Sequence, residues 1–210
     1  MPANIYPLLL DEMVTPDWHP LPNQALPVYA YLIRTDAATI LVGTGVGEGS
    51  GFIDREYQPK DYSLPALLAE HGATLADIDV VVNTHLHFDH SGRNHLFTEV
   101  PIRVQAAERE AARAERYTIA EWVEAADVAC ELVDGDLDLT PEVQLILTAD
   151  HAPGHQVVFV DGAERILIAG QVAESAVEYA ESDSAVVQRL RRLEPDRVYF
   201  SHGAPEVGPA

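Results

Sequence analysis

The sequence predicts a mixed α/β (α+β) fold in which two β-sheets pack face to face and are covered by helices. Apolar runs typical of strands occur in both halves of the chain, and segments typical of helices lie between them. The chain has 210 residues and 47% hydrophobic content, enough to bury a full core. The simplest organisation is therefore one domain that spans residues 1–210.

The first half of the chain alternates apolar strand patterns with turn residues. Ser63 is placed to cap a short helix, and Gly72 is placed to end it. A later segment rich in Ala, Glu and Arg has widely spaced apolar positions, which favours a helical pair over the core or beside a cleft. The predicted elements are strands 28–34 and 39–42, which pair, a helix at 64–71, strands 78–83 and 101–105, and helices within 106–126.

The second half repeats this organisation with a clear hairpin. Asp161-Gly162 separates two apolar runs, which is a strong signal for an antiparallel pair. A later segment places four apolar residues on one stripe and is therefore predicted to be an amphipathic helix. The predicted elements are strands 143–147, 156–160 and 165–169, a helix at 184–193 and a final strand at 197–200.

Composition restricts the partners and the compartment. The 34 acidic residues outnumber the 13 Lys and Arg, and a formal charge of −21 disfavours nucleic acid and anionic membrane surfaces. Cys130 is the single cysteine, which excludes an intramolecular disulfide and fits a reducing compartment. No basic leader and no run of roughly 18 apolar residues is present, so we expect a cytoplasmic protein. The expected partner is a small-molecule substrate, and a homodimer is an open alternative.

The segment THLHFDH, at residues 84–90, is the most informative stretch of the sequence. It places three imidazoles and one carboxylate within six positions, directly after a predicted strand. Neutral imidazole and carboxylate are ligands that suit zinc, iron or manganese. The spacing suits two ions, with His85 and His87 turned one way and Asp89 and His90 turned the other.

Two further segments that contain histidine follow predicted strands. His151 lies in the turn-forming segment DHAPGH, at residues 150–155, from which it can reach a metal. His155 is expected to point away from the metal and to support this loop. His202 follows the final strand and precedes Gly203, which places its side chain well for a site at the end of the strand.

These motifs together resemble the metallo-β-lactamase fold superfamily. The segments HLHFDH and HAPGHQ, a strand ending in Ala-Gly and the segment SHG carry the resemblance. The flanking segments 27–32 and 40–45 look most like the branch of the N-acyl-homoserine lactonases. The resemblance implies a four-layer αββα sandwich with two metals at one edge of the sheets. It implies a first metal held by His85, His87 and His151, and a second held by Asp89, His90 and His202.

Three positions depart from the family pattern. The aspartate that bridges the two metals in the family is replaced by Gln171, a neutral residue that is at best a weak metal ligand. Gly43 replaces an aspartate that orients ligands, and Glu174 replaces a tyrosine near the substrate carbonyl. We therefore expect a second metal that is labile. If the second site is empty, Asp89 is free to act as a catalytic general base.

The resulting functional prediction is a metal-dependent hydrolase with one or two zinc ions, for which iron or manganese are alternatives. Metal-bound hydroxide would attack the carbonyl of a lactone or ester. Two other functions stay open at this point. One is hydrolysis of a thioester, a β-lactam or an organophosphate on the same fold. The other is a degenerate, non-catalytic member that binds a metal or a ligand, as the loss of two aspartates suggests.

Overall fold

The computed structural model describes residues 3–124 and 128–203. Within these ranges the chain forms two β-sheets and a set of short helices. The strands are β1 Asn4–Val14, β2 Ala25–Arg34, β3 Thr39–Val42, β4 Lys60–Asp61, β5 Val80–Val82, β6 Ile102–Gln105, β7 Cys130–Val133, β8 Leu137–Asp138, β9 Val143–Leu147, β10 Gln156–Asp161, β11 Arg165–Gly170 and β12 Arg197–Phe200. The α-helices are α1 Gly51–Glu56, α2 Leu64–Glu70, α3 Phe88–Ser91, α4 Ala106–Ala111, α5 Ala120–Val123, α6 Ala176–Glu181 and α7 Ala185–Arg191.

The two sheets contain both antiparallel and parallel strand pairs. The first sheet has the order β4-β1-β2-β3-β5-β6-β7, and the second has the order β12-β11-β10-β9-β8. In the first sheet, β4-β1-β2-β3 pair antiparallel, and β3-β5-β6-β7 pair parallel. In the second sheet, only the pair of β11 and β12 is parallel. The hairpin predicted at Asp161-Gly162 is confirmed as the connection between β10 and β11.

A shared apolar core joins the facing sides of the sheets. It contains side chains of β2, β3 and β5 from the first sheet and of β9, β10 and β11 from the second. Tyr31 and Tyr199 stack within it with ring centroids 5.4 Å apart. The Tyr31 hydroxyl donates a hydrogen bond to the Phe200 carbonyl at 2.5 Å, so one buried polar contact ties the two sheets together.

Helices cover the outer face of each sheet. Leu64 and Leu68 of α2 pack on the first sheet, because they occupy the same side of the helix. Tyr179 of α6 and Val187 and Leu190 of α7 pack on the second sheet. The Ser175 and Ser184 side chains accept hydrogen bonds from backbone amides at the starts of α6 and α7, which fixes where these helices begin. The predicted four-layer αββα sandwich is therefore confirmed.

The structure corrects three local predictions. Strand β1 was not predicted, because Pro7 and the acidic Asp11 disguise its apolar alternation. The helices predicted within 106–126 are short, and a positive φ of 66° at Arg116 breaks the segment between α4 and α5. Ser63 precedes α2 but makes no capping hydrogen bond with its side chain, since its own φ is 56°. Residues 125–126, the end of the predicted helical segment, lie outside the described residues.

The helices of the described chain are short. The longest, α2 and α7, have seven residues each. None is long and apolar enough to cross a bilayer, which requires about 20 residues in a helix.

Candidate metal centre

Four strands end at the edge where the candidate ligands gather. His85 and His87 follow β5, His151 lies between β9 and β10, Gln171 follows β11, and His202 follows β12. Backbone hydrogen bonds tie these connections together: the Gln156 amide donates to the Thr84 carbonyl at 2.8 Å, and the Ser201 amide donates to the Gly170 carbonyl at 3.0 Å. The fold therefore brings together residues that lie more than 100 positions apart in the sequence.

His85, His87 and His151 form the first cluster. One ligand atom from each residue lies within 4.8 Å of the other two. The ring centroid of His85 lies 4.5 Å from that of His87 and 4.9 Å from that of His151. Nε2 of His151 lies 3.2 Å from Nδ1 of His87. Three imidazoles converging on one point match the ligand set of a catalytic zinc site.

One nitrogen of His85 is left free for a metal. Its Nδ1 lies 3.1 Å from Oγ1 of Thr84. Its Nε2 is buried and has no hydrogen-bond partner among the described residues. Burial is the main cause that lowers the pKa of His85 well below its ordinary value, and the charges of the neighbouring imidazoles lower it further. The ring is therefore neutral at pH 7, which is the form that binds metal.

Asp89, His90 and His202 form the second cluster. Oδ2 of Asp89 lies 3.3 Å from Nε2 of His90 and 3.4 Å from Nε2 of His202. Nδ1 of His202 lies 2.8 Å from the Pro27 carbonyl oxygen, so this nitrogen donates and Nε2 is left as the free acceptor. That Nε2 is buried without a hydrogen-bond partner among residues 3–124 and 128–203. Burial lowers the pKa of His90 to about 3, which keeps that ring neutral. This donor set also fits a divalent metal.

Gln171 lies beside the second cluster. Its Oε1 is 3.0 Å from Nε2 of His90, and its Nε2 donates to Oε1 of Glu174 at 3.3 Å. Its backbone amide donates to Nε2 of His155 at 3.1 Å. Nδ1 of His155 lies 2.7 Å from Oγ1 of Thr148. Both nitrogens of His155 are thus engaged within the protein, as expected for a residue that supports its loop.

Comparison with known proteins identifies the family. The model of the metallo-beta-lactamase superfamily matches residues 23–202. The chain belongs to this superfamily. An N-acyl homoserine lactonase of Bacillus cereus is 29% identical over 204 residues, which cover 84% of this chain and 81% of the relative. An N-acyl homoserine lactonase of Bacillus thuringiensis is 34% identical over 148 residues, which cover 65% of this chain and 59% of that relative.

A solved structure agrees with this assignment. An N-acyl homoserine lactone hydrolase with the product N-hexanoyl-L-homoserine bound at its catalytic metal centre superposes with a TM-score of 0.79. It is 25% identical, and the match covers 96% of this chain and 92% of that structure. This superfamily member is therefore a metallo-hydrolase of the lactonase type, with a histidine-rich site for divalent metal.

The backbone that carries the second cluster is held by a buried polar network. Arg93 binds Asp11 through both terminal nitrogens, at 2.6 and 3.0 Å, and one of them also donates to the Thr44 carbonyl at 3.3 Å. The Thr44 amide donates to the His90 carbonyl at 2.9 Å.

Gly43 stands where the family has an aspartate. Its φ is 80°, in the left-handed region that favours glycine.

Sequence reasoning missed the buried groups that support the ligand loops. Arg93 is 5% exposed and Asp11 is 0% exposed, and neither residue belongs to a recognisable sequence motif. Glu108 is fully buried in α4, where the sequence suggested an ordinary helical segment rich in charged residues. No local sequence pattern marks these residues, because their partners are brought to them by the tertiary fold.

Proposed function

We propose that this protein hydrolyses the ring of N-acyl homoserine lactones at a divalent metal centre formed by the two clusters. The observation that carries the proposal is the convergence of two sets of three ligands at one edge of the sheets. The similarity to N-acyl homoserine lactonases along most of the chain supports the same substrate class. Zinc is the metal that we propose, with iron and manganese as alternatives, because imidazole and carboxylate ligands suit all three.

His85, His87 and His151 would hold the first ion, and Asp89, His90 and His202 would hold the second. A divalent ion bound in this way lowers the pKa of a bound water to about 7 and polarises a carbonyl oxygen. The residues themselves supply neutral nitrogens in fixed orientations, because the second nitrogens of His85 and His202 are tied to Thr84 and Pro27.

Asp89 has two proposed roles that depend on the occupancy of the second cluster. When an ion is bound there, its Oδ2 serves as a ligand beside His90 and His202, both within 3.4 Å. When that cluster is empty, Oδ2 is a buried carboxylate oxygen that can accept a proton next to the first cluster. Both roles keep Asp89 in the reaction, so its replacement by Ala should lower turnover at every metal loading.

Gln171 would make the second ion labile. Its Oε1 is placed to contribute one neutral oxygen, since it already lies 3.0 Å from Nε2 of His90. An amide carries no charge to offset the charge of two divalent ions. We therefore propose that the first cluster binds its ion more tightly than the second.

Aromatic rings offer a path for the acyl chain away from the metal centre. Phe88 lies between His87 and Asp89 in the sequence, and its ring centroid is 4.7 Å from that of Tyr57. The Tyr57 ring is in turn 6.0 Å from the ring of Trp18, which is 61% exposed. A row of apolar rings that ends at the surface suits a hydrocarbon chain of variable length.

The proposal is tested by following ring opening with a pH indicator, since each opened lactone releases a proton. N-hexanoyl and N-decanoyl homoserine lactones are compared with a simple ester, a thioester, a β-lactam and an organophosphate. The zinc-loaded protein should open the lactones fastest, the metal-free protein obtained by exhaustive chelator treatment should be inactive, and added zinc should restore activity. If another compound of the panel is hydrolysed faster than the lactones, the proposed substrate class is wrong. Inactivity on the whole panel at excess metal would favour the non-catalytic alternative.

We propose that the protein works in the reducing cytoplasm, because its one cysteine, Cys130, is free and half-buried.

A further inference from the structure

Glu108 is a buried carboxylate that the proposed chemistry does not use. It lies in the first turn of α4, directly after β6, and its exposure is 0%. A buried carboxylate is costly unless hydrogen bonds replace its hydration. Its surroundings therefore indicate what keeps it in the interior.

Three donors from different segments bind this carboxylate. The Leu86 amide donates to Oε1 at 2.8 Å, and the Tyr117 hydroxyl donates to the same oxygen at 2.5 Å. The Gly154 amide donates to Oε2 at 3.0 Å. Leu86 lies between the ligands His85 and His87 in the sequence, and Gly154 lies in the loop that carries His151. One carboxylate thus bridges both loops of the first cluster.

Two close packings support this bridge. A Cβ added at Gly154 would lie 2.2 Å from the Glu108 backbone nitrogen, so only glycine lets the His151 loop approach α4 this closely. The ring of Tyr117 lies against the ring of His87, with centroids 4.8 Å apart. The network of Glu108 therefore reaches the ligand side chain as well as the two ligand backbones.

We infer that Glu108 is a positioning residue that fixes the His85–His87 loop and the His151 loop relative to each other. It thereby sets the geometry of the first cluster. The inference rests on the proposed metal centre. Two acceptor oxygens are required, because two donors point at Oε1 and the third points at Oε2. A glutamine at this position has only one acceptor oxygen. Its NH₂ group would face at least one of these donors, and that hydrogen bond would be lost.

The test uses E108Q, with L68A as the matched control for lost stability. Leu68 is fully buried under the first sheet and belongs to a different packing cluster. Zinc affinity of the two clusters is measured by competition with a chromophoric chelator. The variant H202A shows which binding phase belongs to the second cluster. The visible absorption of the cobalt-substituted protein reports the ligand geometry of the first cluster.

The expected result is a loss of roughly 10–100-fold in the zinc affinity of the first cluster of E108Q, the range seen for groups that orient metal ligands. The affinity of the second cluster should stay near wild type, and the cobalt spectrum should change. L68A should retain both affinities and the wild-type spectrum. Wild-type affinity and spectrum in E108Q would overturn the inference, as would an equal loss in L68A. Failure of the wild-type protein to bind zinc at the first cluster would instead overturn the proposed metal centre.

The variant Y117F decides the matter if E108Q does not fold. It removes one donor from Glu108 and leaves the carboxylate with its two backbone partners. A weaker first cluster with a shifted cobalt spectrum in Y117F supports the positioning role. Wild-type behaviour of Y117F together with an unfolded E108Q would overturn it, because Glu108 would then act in folding alone.

Discussion

Replacing Gln171 with Asp tests the effect of the missing charge on the second cluster. Oε1 of Gln171 lies 3.0 Å from Nε2 of His90, so a carboxylate at this position faces the same ligands. Q171N is the matched control, because Asn and Asp have the same length and shape and differ mainly in charge. The comparison of the two variants thus isolates the electrostatic contribution from the change in reach.

The magnitude follows from simple electrostatics. Two unit charges about 4 Å apart interact by about 4 kcal/mol at an effective dielectric constant of about 20. Desolvation of the partly buried carboxylate offsets part of this attraction. We expect a net gain of about 2–3 kcal/mol, which is roughly 10²-fold in the metal affinity of the second cluster.

The metal-free protein should respond in the opposite direction. There the new carboxylate faces Asp89 without an ion between them, and it loses the hydrogen bond that Gln171 donates to Glu174. We expect the free energy of unfolding to fall by about 1–2 kcal/mol relative to wild type. Zinc should then raise the melting temperature of Q171D by more than that of wild type.

Chelator competition and thermal unfolding, with and without zinc, measure both effects. Q171D should bind the second ion more tightly than Q171N, and its stability should depend more strongly on metal. Equal zinc affinity and equal metal dependence of the melting temperature in Q171D and Q171N would refute the idea that charge at this position controls the second ion.

Three further variants test other parts of the account. Elemental analysis of H202A should find the first metal and not the second, because His202 belongs only to the second cluster. Loss of both metals, or of neither, would contradict two separate clusters. Y57A should raise KM for an N-decanoyl lactone by roughly tenfold and leave KM for an N-butanoyl lactone nearly unchanged, since about 1–2 kcal/mol of ring contact beside Phe88 is lost. Equal effects on both chain lengths would exclude the aromatic path. Y31F should lower the free energy of unfolding in urea by about 1 kcal/mol, because the hydrogen bond to the Phe200 carbonyl is removed; unchanged stability would contradict this.

Local sequence patterns predict much of this fold. The apolar runs of β2, β3, β9, β10 and β11 are buried in the sheets as their patterns indicate. Strand β1 was missed because Asp11, which looks like a surface residue, is buried against Arg93. A distant partner decides the environment of that carboxylate, and no local pattern contains this information.

The same distinction applies to the site. The candidate ligands were recognisable because metal binding demands particular residue types at short spacing, as in His85, His87 and Asp89. Glu108 was not recognisable, because its three partners are backbone amides and a hydroxyl brought to it by the tertiary fold. Every residue type except proline can donate a backbone N–H, so local sequence patterns do not reveal such contacts.

The number of metal ions bound per chain tests the central claim most directly. Elemental analysis is performed on protein saturated with zinc and dialysed, before and after a short exposure to chelator. The two clusters predict two equivalents of zinc on saturation and one after the chelator, with the remaining ion on the cluster of His85, His87 and His151. Less than half an equivalent on saturation, on the order of nonspecific binding, would contradict the account, because the three converging imidazoles of the first cluster are expected to hold one zinc ion per chain.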